Sequence, residues 1–286
     1  MEPHSLSQPT DARIACGAKT MRLCTRESLH QLVVEHMNGA RFIAVSNREP
    51  CIHQYNGGQI ECMTPASGLV TALNPIMRAS GGVWVAHGSG TADRASADDH
   101  GRVGIPAEAP AYTLRRVWLP ADIERGYYYG LANEGLWPLC HLAFRRPRFS
   151  RDDWESYRRA NELFAEAVLE EANGGPAFVF IQDYHFALLP EMLRRANPRL
   201  AIAQFWHIPW PPPDTFRIFP WGRELLEGLL GNDLLGFQLS SDCANFLGAV
   251  EQPSLALTDD VCRQVHRCGH STNVRPFPIS IDFEEY

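Results

Sequence analysis

Apolar and polar positions along the chain follow two alternating periods. Leu29, Leu32, Val33 and Met37 recur at helical spacing after Thr25-Arg26-Glu27-Ser28, and Asn38-Gly39 is a stop signal. Arg41 to Asn47 then carries a continuous apolar centre that ends abruptly in polar residues. That is the mark of a parallel strand buried on both faces. Residues 50–64 read as a loop or hairpin around Asn56-Gly57-Gly58. A helix opens at Ser67-Gly68-Leu69, runs through Met77 and closes at Ser80-Gly81-Gly82, and Val83-Trp84-Val85-Ala86 is a second buried strand. A polar excursion over 91–111 leads to an alternating strand from Tyr112 to Leu119, and 122–146 is rich in Tyr, Trp and Leu. Asp152 to Ala172 predicts an amphipathic helix with Trp154, Tyr157, Phe164 and Val168 on one face.

The second half predicts strands at 177–181, 200–206, 233–237 and 272–276, separated by helices at about 188–196, 223–230 and 241–250. Strands alternating with helices at this spacing predict right-handed β-α-β units. The fold class is therefore α/β, a Rossmann-like, mainly parallel sheet with flanking helices. The polar residues 1–20 are expected to form a disordered tail, and the domain to run over 21–286.

Composition narrows the function. A net charge of −7 on 286 residues leaves no basic stripe for a nucleic-acid partner. No run of 18 apolar residues offers a membrane span, and the polar N-terminus lacks the apolar stretch of a secretory signal. The eight cysteines show no paired spacing, so they assign no disulfide framework, and a cytoplasmic protein is expected. Cys262, His266, Cys268 and His270 match no common zinc pattern and are read as residues of a surface hairpin. There is no G-x-G-x-x-G and no P-loop sequence.

Candidate chemistry stands at strand ends, where open α/β sheets bind ligands. Arg48 follows the first strand, Asp183 the strand over 177–181, and His207 the strand over 200–206. A guanidinium can fork onto a phosphate, a carboxylate can accept sugar hydroxyls or take a proton, and an imidazole can hydrogen-bond a hydroxyl. Competing readings are a helix cap for Asp183 and a satisfied core histidine for His207. Tyr127-Tyr128-Tyr129 and Trp137, with Asn133 between them, offer aromatic faces for a sugar. Trp84 is divided between that role and core packing. Ser67-Gly68-Leu69 places backbone N–H groups at a helix N-terminus, suited to an anion or merely to a tight turn.

These residues resemble the trehalose-6-phosphate synthase family, retaining glycosyltransferases built of two Rossmann domains. The likeness runs from about residue 41 to the terminus. It rests on Val45-Ser46-Asn47-Arg48, Gly68-Leu69-Val70-Thr71-Ala72-Leu73, Leu136-Trp137-Pro138-Leu139-Cys140-His141, Gln182-Asp183-Tyr184-His185, His207-Ile208-Pro209-Trp210-Pro211 and Asp233 to Gln238. It implies the N-terminal half of a GT-B glycosyltransferase. Arg48, Trp84, Tyr128, Trp137 and Asp183 would hold the acceptor, Gly68 and His207 the donor, with Asp183 and His207 nearest the reaction. The implied activity transfers glucose from UDP-glucose or another NDP-glucose to glucose 6-phosphate. It gives α,α-trehalose 6-phosphate by a front-face mechanism with no metal and no cofactor.

Several positions depart from the family pattern. Ser67-Gly68 stands for Gly-Gly, Leu131-Ala132-Asn133 for Phe-Ser-Asn, Gln182 for His, and Trp206 and Trp210 for Leu and Phe. The acceptor therefore stays open to glycerol 3-phosphate and cyclitol phosphates, and a non-catalytic sugar-phosphate-binding paralog remains an alternative. Pro278-Ile279-Ser280-Ile281-Asp282 resembles the crossover into the second domain, which carries the nucleotide-binding residues. The expectation is that the C-terminal donor domain is absent and that this chain alone is inactive. The partners expected are a sugar-phosphate acceptor and a nucleotide sugar, with a homo-oligomer left open as the assembly.

Overall fold

The structure is a computed structural model that describes residues 31, 33, 35–37, 39–251 and 255–279. The expected tail over 1–20, most of the helix expected after Thr25, and Ser280-Ile281-Asp282 lie outside the described residues.

A ten-stranded sheet organises the chain, with strands numbered in sequence order. At its centre lies β1 (Arg41–Ser46), flanked in parallel by β4 (Val83–His87) and β7 (Ala177–Gln182). Outward from β4 come parallel β6 (Tyr112–Val117) and antiparallel β5 (Arg102–Ile105). Outward from β7 come parallel β8 (Ala201–Phe205), β9 (Leu234–Phe237) and β12 (His270–Pro276). Antiparallel β11 (Gln264–Arg267) and β10 (Leu257–Asp259) close that edge. A separate hairpin pairs β2 (Ile52–Asn56) with β3 (Gln59–Met63).

Strand parity divides the core. Ile43 and Val45 of β1, with Val83 and Val85 of β4, face one layer. There they meet the helical run over 121–140 (α2) and the long helix α3 (Arg151–Ala172). Phe42 and Ala44, with Trp84 and Ala86, face the other layer, where Val70, Leu73 and Met77 of α1 (Gly68–Ser80) cover them. The period of two makes this division unavoidable. Burying each large apolar side chain contributes about 1.5–3 kcal/mol. The second half continues with α4 (Leu189–Ala196), the single turn α5 (Pro213–Phe216), α6 (Gly222–Leu229) and α7 (Ser240–Glu251).

Two features were not foreseen. Arg125–Leu136 in α2 takes π-helical geometry, closed by the Trp137 N–H on Ala132 O. Gly126 and Gly130 let this run press onto α3, since a Cβ at Gly130 would lie 2.5 Å from the Asp153 carboxyl carbon. The second concerns cysteine. Spacing assigned no disulfide, yet the structure bonds Cys51 to Cys62, eleven residues apart, at the base of the β2–β3 hairpin. Cys262 and Cys268 lie on the β10–β12 edge as exposed thiols, while His266 meets Ser271 and His270 meets the Asn232 carbonyl. Among the described residues no helix is long and apolar enough to cross a membrane.

Candidate active site

From β1 the chain steps to β4 on one side; from β7 it steps to β8 on the other. The β1/β7 junction is thus the point where the winding reverses, and a crevice opens there at the carboxyl ends of the strands. A cavity of about 270 Å³ occupies it. Arg48, Tyr128, Asp183 and His207 all line it. Gly68 sits between two further lining residues, Ser67 and Leu69, as the first residue of α1. A Cβ there would meet nothing within 4 Å, so the backbone faces open space.

The two tryptophans are elsewhere. Trp84 does not line the cavity: strand parity turns it into the core beneath α1, where it is fully buried and packs on Tyr112. Its indole N–H donates to Ser46 Oγ at 2.7 Å, and that hydroxyl donates to the Arg48 carbonyl at 2.6 Å. Its link to the site runs through the loop behind Arg48. Trp137 does not line the cavity either. It heads the last turn of α2, is 43% exposed, and stacks on His141 at 4.0 Å. The three consecutive tyrosines diverge along the π-helical run. Tyr127 is buried and donates to Asn47 Oδ1, Tyr128 reaches the cavity, and Tyr129 points to solvent.

Asp183 stands at φ +73°, ψ 175°, a region that costs a non-glycine residue about 1–3 kcal/mol. Its surroundings hold it there. Its N–H donates to Phe205 O at 2.7 Å, and its carbonyl accepts from Gln204 Nε2 at 3.0 Å. Oδ1 accepts from the Tyr184 and His207 N–H groups at 2.9 and 3.2 Å. The capping role is therefore real, but for a short 3-10 turn, Tyr184–Phe186, ahead of α4. Oδ2 makes no hydrogen bond with the described residues and lies 3.9 Å from His185 Nδ1. Burial pushes the carboxyl up to about 7, against the two N–H groups that favour the anion.

The two histidines are held neutral. Burial, reinforced by Arg48 and then His207, lowers His185 to about 3, and burial lowers His207 to about 4. His207 Nε2 lies 3.0 Å from Gln182 Oε1, so the imidazole is oriented by a cavity neighbour and is not a core histidine. His185 stacks on Tyr128 with centroids 5.5 Å apart. Its Nε2 and the Gln182 amide nitrogen are buried and unpaired. Arg48 is exposed, and its guanidinium makes no hydrogen bond or ion pair with the described residues. A free cation therefore shares the cavity with neutral imidazoles and a carboxyl poised near neutrality.

Sequence reasoning assigned no role to Asn47, Gln182, Tyr184 or His185, which also line the cavity. The available signal was adjacency: each neighbours a chosen residue, and the turn forced at Asp183 swings Tyr184 and His185 onto the same rim. A metal candidate lies outside the cavity. Cys51, His53 and Cys62 bring three ligand atoms within 4.8 Å of one another. The disulfide uses both sulfurs, and Arg116 Nη2 lies 2.7 Å from His53 Nδ1, so this cluster is ill suited to a cation.

This switch-point crevice, with an unpaired guanidinium and hydrogen-bonding groups on three neighbouring strand ends, defines an α/β protein with a polar ligand-binding cleft. The profile of glycosyltransferase family 20 matches residues 40–286, and the chain belongs to that family. It is 40% identical over 255 residues to a trehalose-6-phosphate synthase of Mycolicibacterium gilvum, covering 86% of this chain and 50% of that protein. A trehalose-6-phosphate synthase of Mycolicibacterium vanbaalenii is 38% identical over 255 residues, covering 86% of this chain and 51% of that protein. Two solved structures are also similar. One, from E. coli, is bound with UDP-2-fluoro glucose (TM-score 0.70, 27% identity, 86% of this chain, 50% of that one). The other is a Burkholderia xenovorans α,α-trehalose-phosphate synthase in complex with glucose-6-phosphate (TM-score 0.68, 26% identity, 86% of this chain, 51% of that one). The chain spans about half the length of the relatives it matches.

Proposed function

We propose that this chain supplies the acceptor side of a retaining glucosyltransferase that moves glucose from UDP-glucose, or another NDP-glucose, to glucose 6-phosphate. The product is α,α-trehalose 6-phosphate. The observation that carries this reading is the unpaired Arg48 guanidinium in one cavity with Asp183 at the β1/β7 switch point. Arg48 holds the acceptor phosphate as a charge-assisted fork. Asp183 Oδ2, left free by the turn, accepts from an acceptor hydroxyl, and Tyr128 packs against the ring. The backbone at Ser67-Gly68-Leu69 and the N-terminus of α1 receive the donor diphosphate. Neutral His207 hydrogen-bonds the donor glucose. On the front-face route the anomeric carbon–oxygen bond to the diphosphate breaks while the acceptor oxygen bonds to the same face. The acceptor proton passes to the departing phosphate oxygen. Protein groups then act by positioning and electrostatics.

A second reading takes a smaller acceptor, glycerol 3-phosphate. It is favoured by Trp137 standing outside the cavity, which leaves one wall without its indole. Calorimetric titration with glucose 6-phosphate, glycerol 3-phosphate and a cyclitol phosphate separates the two. The tightest binding is expected for glucose 6-phosphate. A preference for glycerol 3-phosphate would replace it with the second reading, and silence with all three would overturn both.

A further inference from the structure

Arg48 is free at its tip, and its backbone is pinned from behind by a buried ionic cluster that the proposed chemistry does not use. The residue after it, Glu49, is buried, as is Arg116, which is 0% exposed on β6. Arg116 Nε donates to Glu49 Oε2 at 2.8 Å, Nη2 donates to the Cys51 carbonyl at 3.0 Å, and Nη2 forms an ion pair with Asp93 Oδ1 at 2.9 Å. Glu49 Oε1 accepts in turn from the Ser89 N–H and hydroxyl at 3.0 and 3.2 Å. Asp93 Oδ1 also accepts from the His53 N–H at 2.8 Å, and Oδ2 from the Gly90 N–H at 2.6 Å. One guanidinium therefore ties residues 49, 51 and 93 together within reach of a single β6 side chain.

A buried arginine cannot shed its charge, and desolvating it costs several kcal/mol. A cluster of this kind is weak evidence for stability, because apolar packing does as well. What it supplies is geometry: planar, directional contacts on two points of one loop. That loop leads directly from Arg48. Its other flank is held by the Trp84 to Ser46 to Arg48-carbonyl relay.

We propose that Arg116, acting through Glu49, is a positioning residue for Arg48: it fixes the 49–51 backbone so that the Arg48 side chain meets the acceptor phosphate without ordering its loop. The proposal rests on the reading that Arg48 grips a phosphate. Arg116 touches no ligand. Its effect is the ordering entropy it spares on binding, which corresponds to about 3- to 10-fold in affinity.

The test is a double-mutant cycle in glucose 6-phosphate affinity, read by calorimetry on the full chain, with thermal melts confirming that each variant folds. Glu49→Gln keeps the volume and gives one acceptor oxygen to the three donors that Glu49 serves. Arg116→Lys keeps the charge and loses the fork, and it stands in if Glu49→Gln does not fold. The expected result is a ~3- to 10-fold loss of affinity for either variant in the wild-type background and no further loss beside Arg48→Ala. A folded variant with wild-type affinity, or one losing equally in both backgrounds, overturns the positioning role. If Arg48→Ala alone leaves affinity unchanged, the phosphate reading of Arg48 fails instead.

Discussion

Two neighbouring strand ends build this site by opposite means. After β7, Asp183 is fixed as a side chain: its Oδ1 accepts two N–H groups, and its strained backbone is tied at both its N–H and its carbonyl. After β1, the Arg48 side chain is free while the backbone on either side is clamped by Ser46 and by the Arg116 cluster. The difference suits the roles we propose for the two groups. A carboxyl that orients a hydroxyl has to be aimed before the ligand arrives. A guanidinium that clamps a phosphate has to be free of protein anions, so its order is placed one bond further back.

The largest effect expected from breaking this contrast is on binding. Arg48→Ala removes a charge-assisted pair worth about 1.5–3 kcal/mol, so glucose 6-phosphate affinity should fall roughly 10- to 100-fold in a calorimetric titration. Stability should scarcely change, because Arg48 holds nothing else. At β7 the order reverses. Asp183→Ala should lose about 2–3 kcal/mol of unfolding free energy in a denaturant melt, because two N–H groups lose their acceptor. Asp183→Gly should recover about 1–2 kcal/mol of that loss, because glycine adopts the strained φ freely. Equal stability of the two variants would show that the backbone there stores no strain.

The pH dependence is a finer probe. The Asp183 carboxyl is raised from 3.8 to about 7. In the folded state it thus keeps its proton over a range where the unfolded chain loses it. Its contribution is fully present below the unfolded value, declines as pH rises toward 7 and is flat above. The buried His185 and His207, lowered to about 3 and about 4, act in the opposite sense over the same window, since the unfolded chain binds their protons. The effects oppose each other in the wild type, with Glu49, also raised to about 7 by burial, on the side of Asp183. Asp183→Asn should therefore gain stability relative to wild type as pH rises from 4 to 7 and then hold level, measured by melts in a buffer series. The smallest effect should come from Trp137→Ala. It should shift stability by no more than about 0.5 kcal/mol and cost less affinity than Tyr128→Ala, in keeping with an indole outside the cavity.

The same contrast explains what could be read from the chain. β1, β7 and β8 were legible because buried parallel strands are written as apolar runs, and the polar residue that ends each run falls at the ligand edge. The short edge strands β5, β10 and β11 carry too few apolar residues to signal themselves. The π-helical run over 125–136 has no 3.6-residue stripe to find, so the fates of Tyr127, Tyr128 and Tyr129 could not be separated. Trp84 stayed divided between site and core because an apolar run does not say which parity faces which layer. Arg116 was invisible for a related reason. In an alternating strand a charged residue reads as solvent-facing, and only the fold shows that Glu49 and Asp93 meet it in the core. Asp183, Arg48 and His207 were legible as positions, whereas the division between a fixed side chain and a fixed backbone was not.

The most direct measurement is a crystal structure of the protein grown with glucose 6-phosphate. The account places the phosphate against Arg48 with N–H···O distances of about 2.7–2.9 Å and a sugar hydroxyl on Asp183 Oδ2, with the 49–51 loop unmoved. A sugar phosphate bound elsewhere, or in this cavity with its phosphate turned away from Arg48, would contradict it.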